Sequence, residues 1–520
     1  MSRASSSHVL FAGSARDEPP GARLVGDLDP EAPLALTLHF RRRSPAPPAG
    51  SAEDLARFRR PMSRLALEHQ RARTHARAAA RIATFLRDHG VTVRDIDFTS
   101  RRMEIEAPAR VLTELFHAQV KLYTDGVRTF RARTGTLQAP RHIAPWTRAV
   151  VGFDQRPLPV RPAVEPGDAA RALPPREVAA LYGIPLDRDV SRQCVGILAL
   201  GGGYKPEDLA AAFVPIGRPP PQITEVSVGG ATNQFGENDR LDQELALDLQ
   251  VIATLLPGAR IVLYFAATSQ QGIADALDKA VHDTANNPRV ISVSFGVAEL
   301  HWTDARREAV NASLCDAARL RVAVVAPAGD DLATCREPDG KAHVWFPASS
   351  PYVLSCGGTA VELSAATITE EKVWNIGGAG TGGGVSDFFP VASFQSTAAV
   401  PPSVNDGRAG RGVPDVAALA SETPGYRIYV DNEAMALGGT SAGTPLWAAM
   451  IAIADAGRAT PLGLVAPHLY ATRGLTRPIT QGDNKMNNVG YSAGPGWNAC
   501  TGLGAPIGAS LVESLAAAAS

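Results

Sequence analysis

The chain of 520 residues lacks a strong net charge and a long apolar run. Its formal net charge is −1, with 51 Lys and Arg against 52 Asp and Glu, whereas nucleic-acid-binding proteins typically carry a basic surface. Its longest apolar stretch lies within PLWAAMIAIADAG, contains Asp455, and is shorter than the roughly 20 residues that cross a membrane. We therefore expect neither a nucleic-acid partner nor a membrane partner.

Cysteines are also few and scattered. The five of them are Cys194, Cys315, Cys335, Cys356 and Cys500, and no two form a C-x-x-C pair of the kind that holds zinc. Their odd number leaves at least one thiol free. The first 21 residues, MSRASSSHVLFAGSARDEPPG, contain no apolar stretch typical of a secretory signal, so an export route is not visible.

The balanced total hides a division of charge along the chain. Residues 1–165 carry 27 Lys and Arg against 17 Asp and Glu, which leaves 24 against 35 for residues 166–520. The two parts should attract each other. Arginines at helical spacing and without interleaved aromatics favour contact with the acidic part rather than with nucleic acid; they are Arg57, Arg59, Arg60, Arg64, Arg71, Arg73, Arg77 and Arg81.

Strand and helix patterns predict two domains. PLALTLHFRRR is typical of a strand, the segment from Ser51 to Gly90 of helices, and VTVRDIDFTSRRMEIEA of two strands, so we expect an α+β domain with one mixed sheet. This domain spans residues 1–165. The Pro- and Ala-rich stretch from Arg156 to Pro175, with Arg161 and Arg171, predicts an exposed linker open to proteolytic nicking.

Residues 166–520 alternate apolar strands with amphipathic helices. CVGILAL, ARIVLYFAA, RVISVSFG and RVAVVAPAG are the clearest strands, and this alternation predicts an α/β fold with a parallel sheet covered by helices on both faces. Sites in such sheets form beyond the carboxyl ends of the strands. Asp330 follows RVAVVAPAG directly and is therefore a candidate site residue.

The segment GGTSAGTP contains G-x-S-x-G and presents Ser441 as a candidate nucleophile. Its general base is less obvious. An α/β-hydrolase esterase would use a later histidine, of which His468 is the only one, although its segment is typical of a helix. A subtilisin-like order would use His282, His301 or His343, but none of these lies in a His-Gly-Thr setting.

Carboxylates are the alternative base. In NDRLDQELALDLQ, Glu244 and Asp248 are four residues apart and share one face of a predicted helix. An exposed acidic helix end, with Asp239 and Asp242, explains this spacing equally well. If the face is buried, the two carboxyl groups share protons, and Glu244 can act as a base in mild acid. A protonated Asp330 could then donate to the oxyanion.

Glycines recur in GGAGTGGGVSDFFP, which formally contains G-x-G-x-x-G at Gly378, Gly380 and Gly383. A dinucleotide site needs a strand before this motif and a helix after it. Neither is predicted here, and Pro390 follows closely. A loop or a substrate edge is the favoured interpretation.

Seven ordered segments together resemble the sedolisin family of serine-carboxyl peptidases, in particular its kumamolisin-like members. They are ELALD, VVAPAGDD, SPYVLSCGGT, TGGGVSDFFP, GRGVPDVA, GGTSAGTP and AGPGWNACTGLGAP. The resemblance implies a subtilisin-like α/β catalytic domain over residues 166–520, preceded by an activation prodomain. It also implies that Ser441 is the nucleophile, Glu244 the general base and acid, Asp248 the group that orients Glu244, and Asp330 the oxyanion-hole acid.

The same resemblance implies a calcium site near the C-terminus, but this sequence departs from it. Pro478 and Asn498 stand where the family usually has two aspartates. Ile479, Gly494, Gly496 and the Asn498 amide would form an uncharged cage, whereas calcium prefers carboxylate oxygens. We therefore expect no calcium requirement and no other cofactor.

These inferences combine into an acid-acting serine endopeptidase made as a zymogen. Its expected partners are protein or peptide substrates and its own prodomain. We further expect a monomer that is secreted, as the resemblance implies. The alternatives are an α/β-hydrolase-like esterase and an inactive binding protein on the same scaffold.

Overall fold

A computed structural model describes residues 8–43, 46–158 and 167–518 of the protein. Two units of regular structure lie on either side of residues 159–166. Those eight residues include Arg161 and part of the predicted linker, and they lie outside the described residues.

The N-terminal unit is built on a four-stranded antiparallel sheet. Alternate residues of one strand are buried, so that Leu34, Leu36 and Leu38 join the core beneath the helices Arg64–Asp88 and Ala109–Leu115. The four strands lie in the order Thr92–Asp97, Arg102–Pro108, Pro33–Phe40 and Thr147–Val151.

The long helix of this unit has clear local signals at both ends. Ser63 caps its start by accepting the N–H of Ala66 at 3.1 Å. Alanine and arginine, both good helix formers, occupy much of its length. The chain leaves the helix at Gly90, whose φ of 75° suits glycine.

Smaller sheets complete the N-terminal unit. The strands Arg23–Asp27, Gln119–Thr124 and Thr129–Thr134 form a second antiparallel sheet, and His8–Leu10 pairs with Gln138–Pro140. The prediction of one mixed sheet is therefore wrong. Tight turns such as the one at Gly126 return the chain alongside itself, and this produces antiparallel rather than parallel neighbours.

The C-terminal unit contains the predicted parallel sheet. Every residue of Cys194–Leu200 is buried, as expected for a strand covered on both faces. Val416–Leu419 runs parallel to Leu354–Ser364, and Thr367–Val373 adds an antiparallel edge. The first six strands lie in the order Ile223–Ser227, Arg260–Ala266, Cys194–Leu200, Val290–Ser292, Ala323–Pro327 and Leu354–Ser364.

Helices cover both faces of this sheet, which confirms the α/β class. Asp239–Leu255 and Thr440–Asp455 contribute to the core on one face, and Gln270–His282 and Asp304–Arg319 to the core on the other. Nowhere in residues 8–43, 46–158 and 167–518 is a helix long and apolar enough to cross a membrane. The shorter helices of this unit are Pro175–Leu181, Pro206–Phe213, Ala466–Ala471 and Gly508–Ala517, whereas Ala52–Ala56 belongs to the N-terminal unit.

Within the predicted linker, described residues on either side of 159–166 form backbone hydrogen bonds with the C-terminal unit. The N–H of Leu158 donates to the oxygen of Thr268 at 3.1 Å, and the N–H of Gly167 donates to that of Ala436 at 2.9 Å. Leu158 is buried, whereas Arg171 is exposed. Leu158 and Gly167 thus differ from the exposed linker predicted from composition, because backbone pairing holds them against the C-terminal unit, whereas Arg171 is exposed as predicted.

Arginines of the basic N-terminal unit contact the acidic C-terminal unit at a few buried points. Arg71 lies 2.5 Å from Asp316, Arg102 lies 3.2 Å from Asp278, and Arg64 donates to a backbone oxygen at 2.7 Å. Within the predicted arginine series, Arg64 and Arg71 therefore make the expected contact. Other members of the series, Arg60, Arg73, Arg77 and Arg81, are exposed, and the side chain of Arg59 lies outside the described residues.

Candidate active site

Ser441 lies in the first turn of the buried helix Thr440–Asp455. Gly439 precedes this helix with a φ of 98°, a conformation that glycine adopts without strain. A Cβ atom at Gly439 would lie 3.0 Å from Asp330 Oδ2 and 3.1 Å from Ser441 Oγ. The absence of a side chain here leaves open the space that these two groups share.

Glu244 is the hydrogen-bond partner of the serine. It lies on the helix Asp239–Leu255, whose cap Asn238 accepts the N–H of Leu241 at 3.2 Å. Ser441 Oγ donates to Glu244 Oε2 at 3.3 Å. Burial, together with the nearby carboxyl groups of Asp248 and Asp330, raises the pKa of Glu244 well above its usual value.

Asp248 lies one helical turn after Glu244 and is buried. Its Oδ1 accepts from Ser294 Oγ at 2.6 Å, and burial raises the pKa of Asp248 to about 8. Among the described residues, Asp248 Oδ2 and Glu244 Oε1 have no hydrogen-bond partner. One proton held between the two carboxyl groups would satisfy both oxygens, because two such carboxylates resist ionising together.

Asp330 reaches the serine from the carboxyl end of the strand Ala323–Pro327. Its Oδ1 accepts from both the N–H and the hydroxyl group of Thr440, each at 2.7 Å. A proton on this carboxyl group therefore belongs on Oδ2, which borders the same space beside Gly439 as Ser441 Oγ. Burial raises the pKa of Asp330 to about 6. The group can thus donate a hydrogen bond in mild acid.

The other acidic residues of the Glu244 helix lie outside this arrangement. Asp239 is exposed. Asp242 is buried, and its carboxylate accepts the N–H groups of Gly203 at 2.6 Å and Gly236 at 2.8 Å. The exposed-helix-end interpretation therefore describes Asp239 but not Asp242, Glu244 or Asp248.

The four histidines considered as bases have other partners. His468 lies on the helix Ala466–Ala471 and contacts Ser514 Oγ at 2.8 Å, whereas Ser441 Oγ donates to Glu244. The esterase interpretation thus loses its base. The remaining contacts join His282 to Asp278 and Asp316, His301 to Glu337, and His343 to Asp339.

The glycine-rich segment supports the backbone around Asp330. The N–H of Gly380 donates to the backbone carbonyl oxygen of Asp330 at 2.9 Å. The N–H of Gly382 donates to the backbone carbonyl oxygen of Gly329 at 2.7 Å. A Cβ atom at Gly382 would lie 2.3 Å from the oxygen of Ala328, so only glycine fits. Short strands, Ala379–Gly380 and Gly384–Val385, occupy this segment instead of the helix that a dinucleotide motif requires.

Sequence reasoning missed Ser294, Thr440 and Trp345. Ser294 follows the strand Val290–Ser292, and its polar side chain at a strand end was the available signal. Thr440 adjoins the nucleophile. The Trp345 ring packs on Gly329, where a Cβ atom would lie 2.7 Å from Trp345 Cδ2. No local pattern marks this tryptophan, because a long-range contact brings it to the site.

The residues at the expected calcium position do not fit a cation. Asn498 Nδ2 donates to the oxygen of Ile479 at 3.0 Å, so an N–H points at the carbonyl that would bind calcium. Asn498 Oδ1 accepts from the N–H groups of Cys500 and Thr501 and from the Thr501 hydroxyl group, which fixes the orientation of the amide. Pro478 supplies no carboxylate. In the described parts of the chain, no acidic or His/Cys cluster suited to a metal is found.

Known proteins share both units of this architecture. The pro-kumamolisin activation domain matches residues 20–156. Kumamolisin from Bacillus sp. (strain MN-32) is 38% identical over 98% of this chain and 97% of its own length. The chain belongs to the sedolisin family of serine-carboxyl peptidases. Pseudomonas sedolisin, solved as a serine-carboxyl proteinase with bound pseudo-iodotyrostatin, covers 67% of this chain and 98% of its own at 28% identity and a TM-score of 0.59.

Family membership confirms the subtilisin-like fold and the enzyme class. The subtilase family matches residues 227–462, within the parallel-sheet unit. Human tripeptidyl-peptidase 1 is 30% identical over 56% of this chain and 54% of its own length. The protein is a serine-carboxyl peptidase, a hydrolase of peptide bonds, that carries its own activation prodomain.

Proposed function

We propose that this peptidase is an acid-acting endopeptidase made as a zymogen, in which Ser441, Glu244, Asp248 and Asp330 carry out the reaction. The observation that carries the proposal is the hydrogen bond from Ser441 Oγ to Glu244 Oε2 at 3.3 Å. This bond joins a nucleophile to a carboxylate base inside a buried acidic cluster. A histidine base would instead be protonated in acid.

Acylation begins when Ser441 Oγ attacks the carbonyl carbon of the scissile peptide bond. Glu244 Oε2 accepts the hydroxyl proton as the new C–O bond forms. Asp248, which receives a hydrogen bond from Ser294, holds a proton toward Glu244 and keeps its carboxylate in position. The carbonyl oxygen becomes an oxyanion, and the proton on Asp330 Oδ2 stabilises it.

The tetrahedral intermediate then collapses. Its C–N bond breaks, Glu244 returns the proton to the leaving amine, and an acyl-enzyme remains on Ser441. A water molecule next attacks the ester carbon, and Glu244 accepts a proton from that water. The bond between this carbon and Ser441 Oγ then breaks, the same proton restores the Ser441 hydroxyl group, and the peptide leaves as a carboxylic acid. Each proton that Glu244 accepts is thus released within the cycle.

The protonation states that this mechanism assigns to Asp330 and to the Glu244–Asp248 pair require an acid pH. Asp330 must keep its proton to donate to the oxyanion, and its raised pKa of about 6 means that the proton is lost as pH rises through that value. Above that pH the Asp330 carboxylate would repel the oxyanion. Activity should therefore decline from mildly acidic toward neutral pH, with a second decline at lower pH once the Glu244–Asp248 pair takes up its second proton.

The zymogen proposal rests on the docked prodomain. Burial would raise the pKa of Asp316, but Arg71, His282 and Arg101 outweigh burial and hold that pKa well below its usual value. Asp278 behaves in the same way beside Arg102 and His282. These two carboxylates keep their charge in mild acid, so the attraction between the oppositely charged parts of the chain is not lost there through their protonation.

A histidine offers a trigger at the same interface. Burial, together with Arg102, Arg101 and Arg306, lowers the pKa of His39 to about 4 despite the opposing charge of Asp278. Below that pH, His39 adds a positive charge among arginines and weakens prodomain docking. Cleavage between Arg156 and Pro175 would then make activation irreversible.

Two further proposals concern the loop at Asn498 and the setting of the enzyme. Asn498 closes the loop with hydrogen bonds, so we propose that the fold needs no calcium. We also propose secretion into an acidic medium, which would suit the chemistry. The inactive-binding-protein alternative predicts loss of a catalytic group, whereas all four are present around Ser441.

The deciding experiment is proteolysis of a denatured protein substrate from about pH 2 to about pH 8 by wild type, Glu244→Gln and Ser441→Ala. We expect activity confined to acid pH and lost in both variants. Activity near pH 8 that survives Glu244→Gln would return the role of base to a histidine. In parallel, processing of the full-length wild type should depend on pH and should be absent in Ser441→Ala.

A further inference from the structure

A cavity of about 440 Å³ lies between the N-terminal unit and the helix Asp304–Arg319. We call it the arginine cavity. The facing helix contributes Glu308 and Ala312 to its wall. Five arginines of the N-terminal unit line the other side, namely Arg41, Arg42, Arg43, Arg101 and Arg148.

Carboxylates around the arginine cavity compensate only part of this charge. Glu308 pairs with Arg148. Asp316 lies 3.7 Å from the Arg101 guanidinium, but it also pairs with Arg71 at 2.5 Å. Three carboxylates, those of Glu308, Asp316 and the more distant Asp304, thus serve the five cavity arginines and Arg71, which leaves an excess of positive charge.

Three of the cavity arginines, Arg41, Arg42 and Arg43, make no ion pair with Asp or Glu in the described chain, and Arg42 contacts the Cys315 side chain instead. Arg41 has only a long contact of 3.4 Å to the backbone oxygen of Thr147. Arg43 stacks on the Trp146 ring, with its guanidinium carbon 4.5 Å from the ring centroid. Stacking holds the guanidinium plane and leaves its N–H edge available to an anion.

Another cavity arginine, Arg101, is repelled by neighbouring guanidinium groups. Arg101 is buried, and burial together with repulsion from Arg71 and Arg42 lowers the pKa of Arg101 to about 9 even though Asp316 is near. An anion in the cavity would relieve this repulsion.

We propose that the arginine cavity binds a multivalent oxyanion of the sulfate or phosphate class, and that the bound anion strengthens prodomain docking. Guanidinium groups match the oxygens of such anions with paired hydrogen bonds. The volume leaves room for the anion with several waters, since one water takes about 30 Å³. The helix Asp304–Arg319 of the C-terminal unit forms one wall of the cavity only while the prodomain is docked, so an anion that needs the enclosed site favours the docked state by linkage.

The test uses sulfate, which stays doubly charged in mild acid, and full-length Ser441→Ala, which cannot process itself under the proposed mechanism. The melting temperature is followed against sulfate concentration, with NaCl holding the ionic strength constant. We expect a saturable rise that is lost in Arg41→Ala/Arg43→Ala and kept in the matched control Arg73→Ala/Arg77→Ala. General stabilisation by sulfate is common to all variants. An equal response in the cavity variant and the control would overturn the proposal.

A second variant changes the site in the opposite direction. Glu308→Gln removes the carboxylate that competes for Arg148, so half-saturation should need about two- to fivefold less sulfate. An unchanged or higher requirement would contradict the proposal, even if the arginine variant did not fold. The same melting experiment is repeated with a heparin fragment. If its effect on the melting temperature depends on Arg41 and Arg43, sulfate esters are a second source of the ligand. If it does not, the free anion is the ligand.

The effect on activation has a separate readout. At a fixed acid pH, sulfate should slow processing of the wild type relative to NaCl of equal ionic strength, and Arg41→Ala/Arg43→Ala should abolish the difference. This readout depends on the proposed protease activity, whereas the melting temperature of Ser441→Ala does not. Failure of the anion site can therefore be told apart from failure of the proposed function.

Discussion

Two buried acidic clusters in the catalytic unit have opposite proton affinities. Around Ser441, the neighbours of Glu244, Asp248 and Asp330 are hydroxyl groups and one another, and the pKa of each of these three carboxyl groups is raised. At the prodomain interface, arginines contact Asp278 and Asp316, and the pKa of both is lowered. Burial is common to the two clusters, so the partner decides whether a carboxyl group keeps its proton.

The difference matches the work that each cluster has to do. Under the proposed function, a peptidase that moves protons in acid needs carboxyl groups that bind them, and in the described part of the chain no arginine or lysine pairs with the first cluster. A docked prodomain needs charges that persist, and the second cluster has guanidinium groups that preserve them. Four substitutions should break or sharpen this contrast.

The largest effect should come from Glu244→Gln. Removal of the base from the proton-binding cluster should lower kcat by a factor on the order of 10⁴ or more at the optimum pH, as for other members of a catalytic unit. Asp239→Asn, an exposed change on the same helix, is the matched control and should leave kcat unchanged. Comparable losses in both variants would point to damage to the helix rather than to loss of a base.

Asp330→Ala should have the next largest effect. Loss of one oxyanion donor typically costs about 10²–10³ in kcat. The remaining activity should also lose its decline near pH 6, because the group with the raised pKa is gone. If the alkaline limb of kcat/KM stays near pH 6 in this variant, another group must set it.

At the interface cluster, Arg71→Met should weaken docking by up to about 3–5 kcal/mol, the usual cost of breaking a buried ion pair. Asp316 has a lowered pKa, so its stabilisation is complete above its ordinary value near 3.8 and is lost only as pH falls through the lower native value. Without Arg71 the pKa of Asp316 rises, and processing should begin at higher pH.

The matched control for that variant is Arg73→Met, an exposed change on the same helix. The onset pH of processing should not move in this control. An onset that is the same in both variants would show that the Arg71–Asp316 pair does not hold the prodomain.

The smallest effect should come from Asn498→Asp. The Nδ2 donor to the Ile479 oxygen is lost, which should cost about 1–3 kcal/mol and lower the melting temperature by a few degrees. Wild type should melt at the same temperature with a chelator or with added calcium at neutral pH. If chelation lowers the melting temperature and calcium restores it, the calcium-free proposal is wrong.

Much of the fold was predictable because its signals are local. Fully apolar runs such as Cys194–Leu200 indicated buried parallel strands, and the four-residue spacing of Glu244 and Asp248 placed both on one helical face. The mixed sheet predicted for the N-terminal unit failed, since periodicity identifies strands but not the direction of their partners.

The sequence by itself determined which chemical groups are available: a serine on a glycine turn, two carboxyl groups on one helical face and a third at a strand end. Tertiary structure alone decided that Ser441 meets Glu244, that Ser294 and Thr440 contact Asp248 and Asp330, and which carboxyl groups receive arginines. The reason is physical: a residue's type and local spacing are properties of the chain, whereas its desolvation and its charged neighbours exist only after distant strands and helices have packed together.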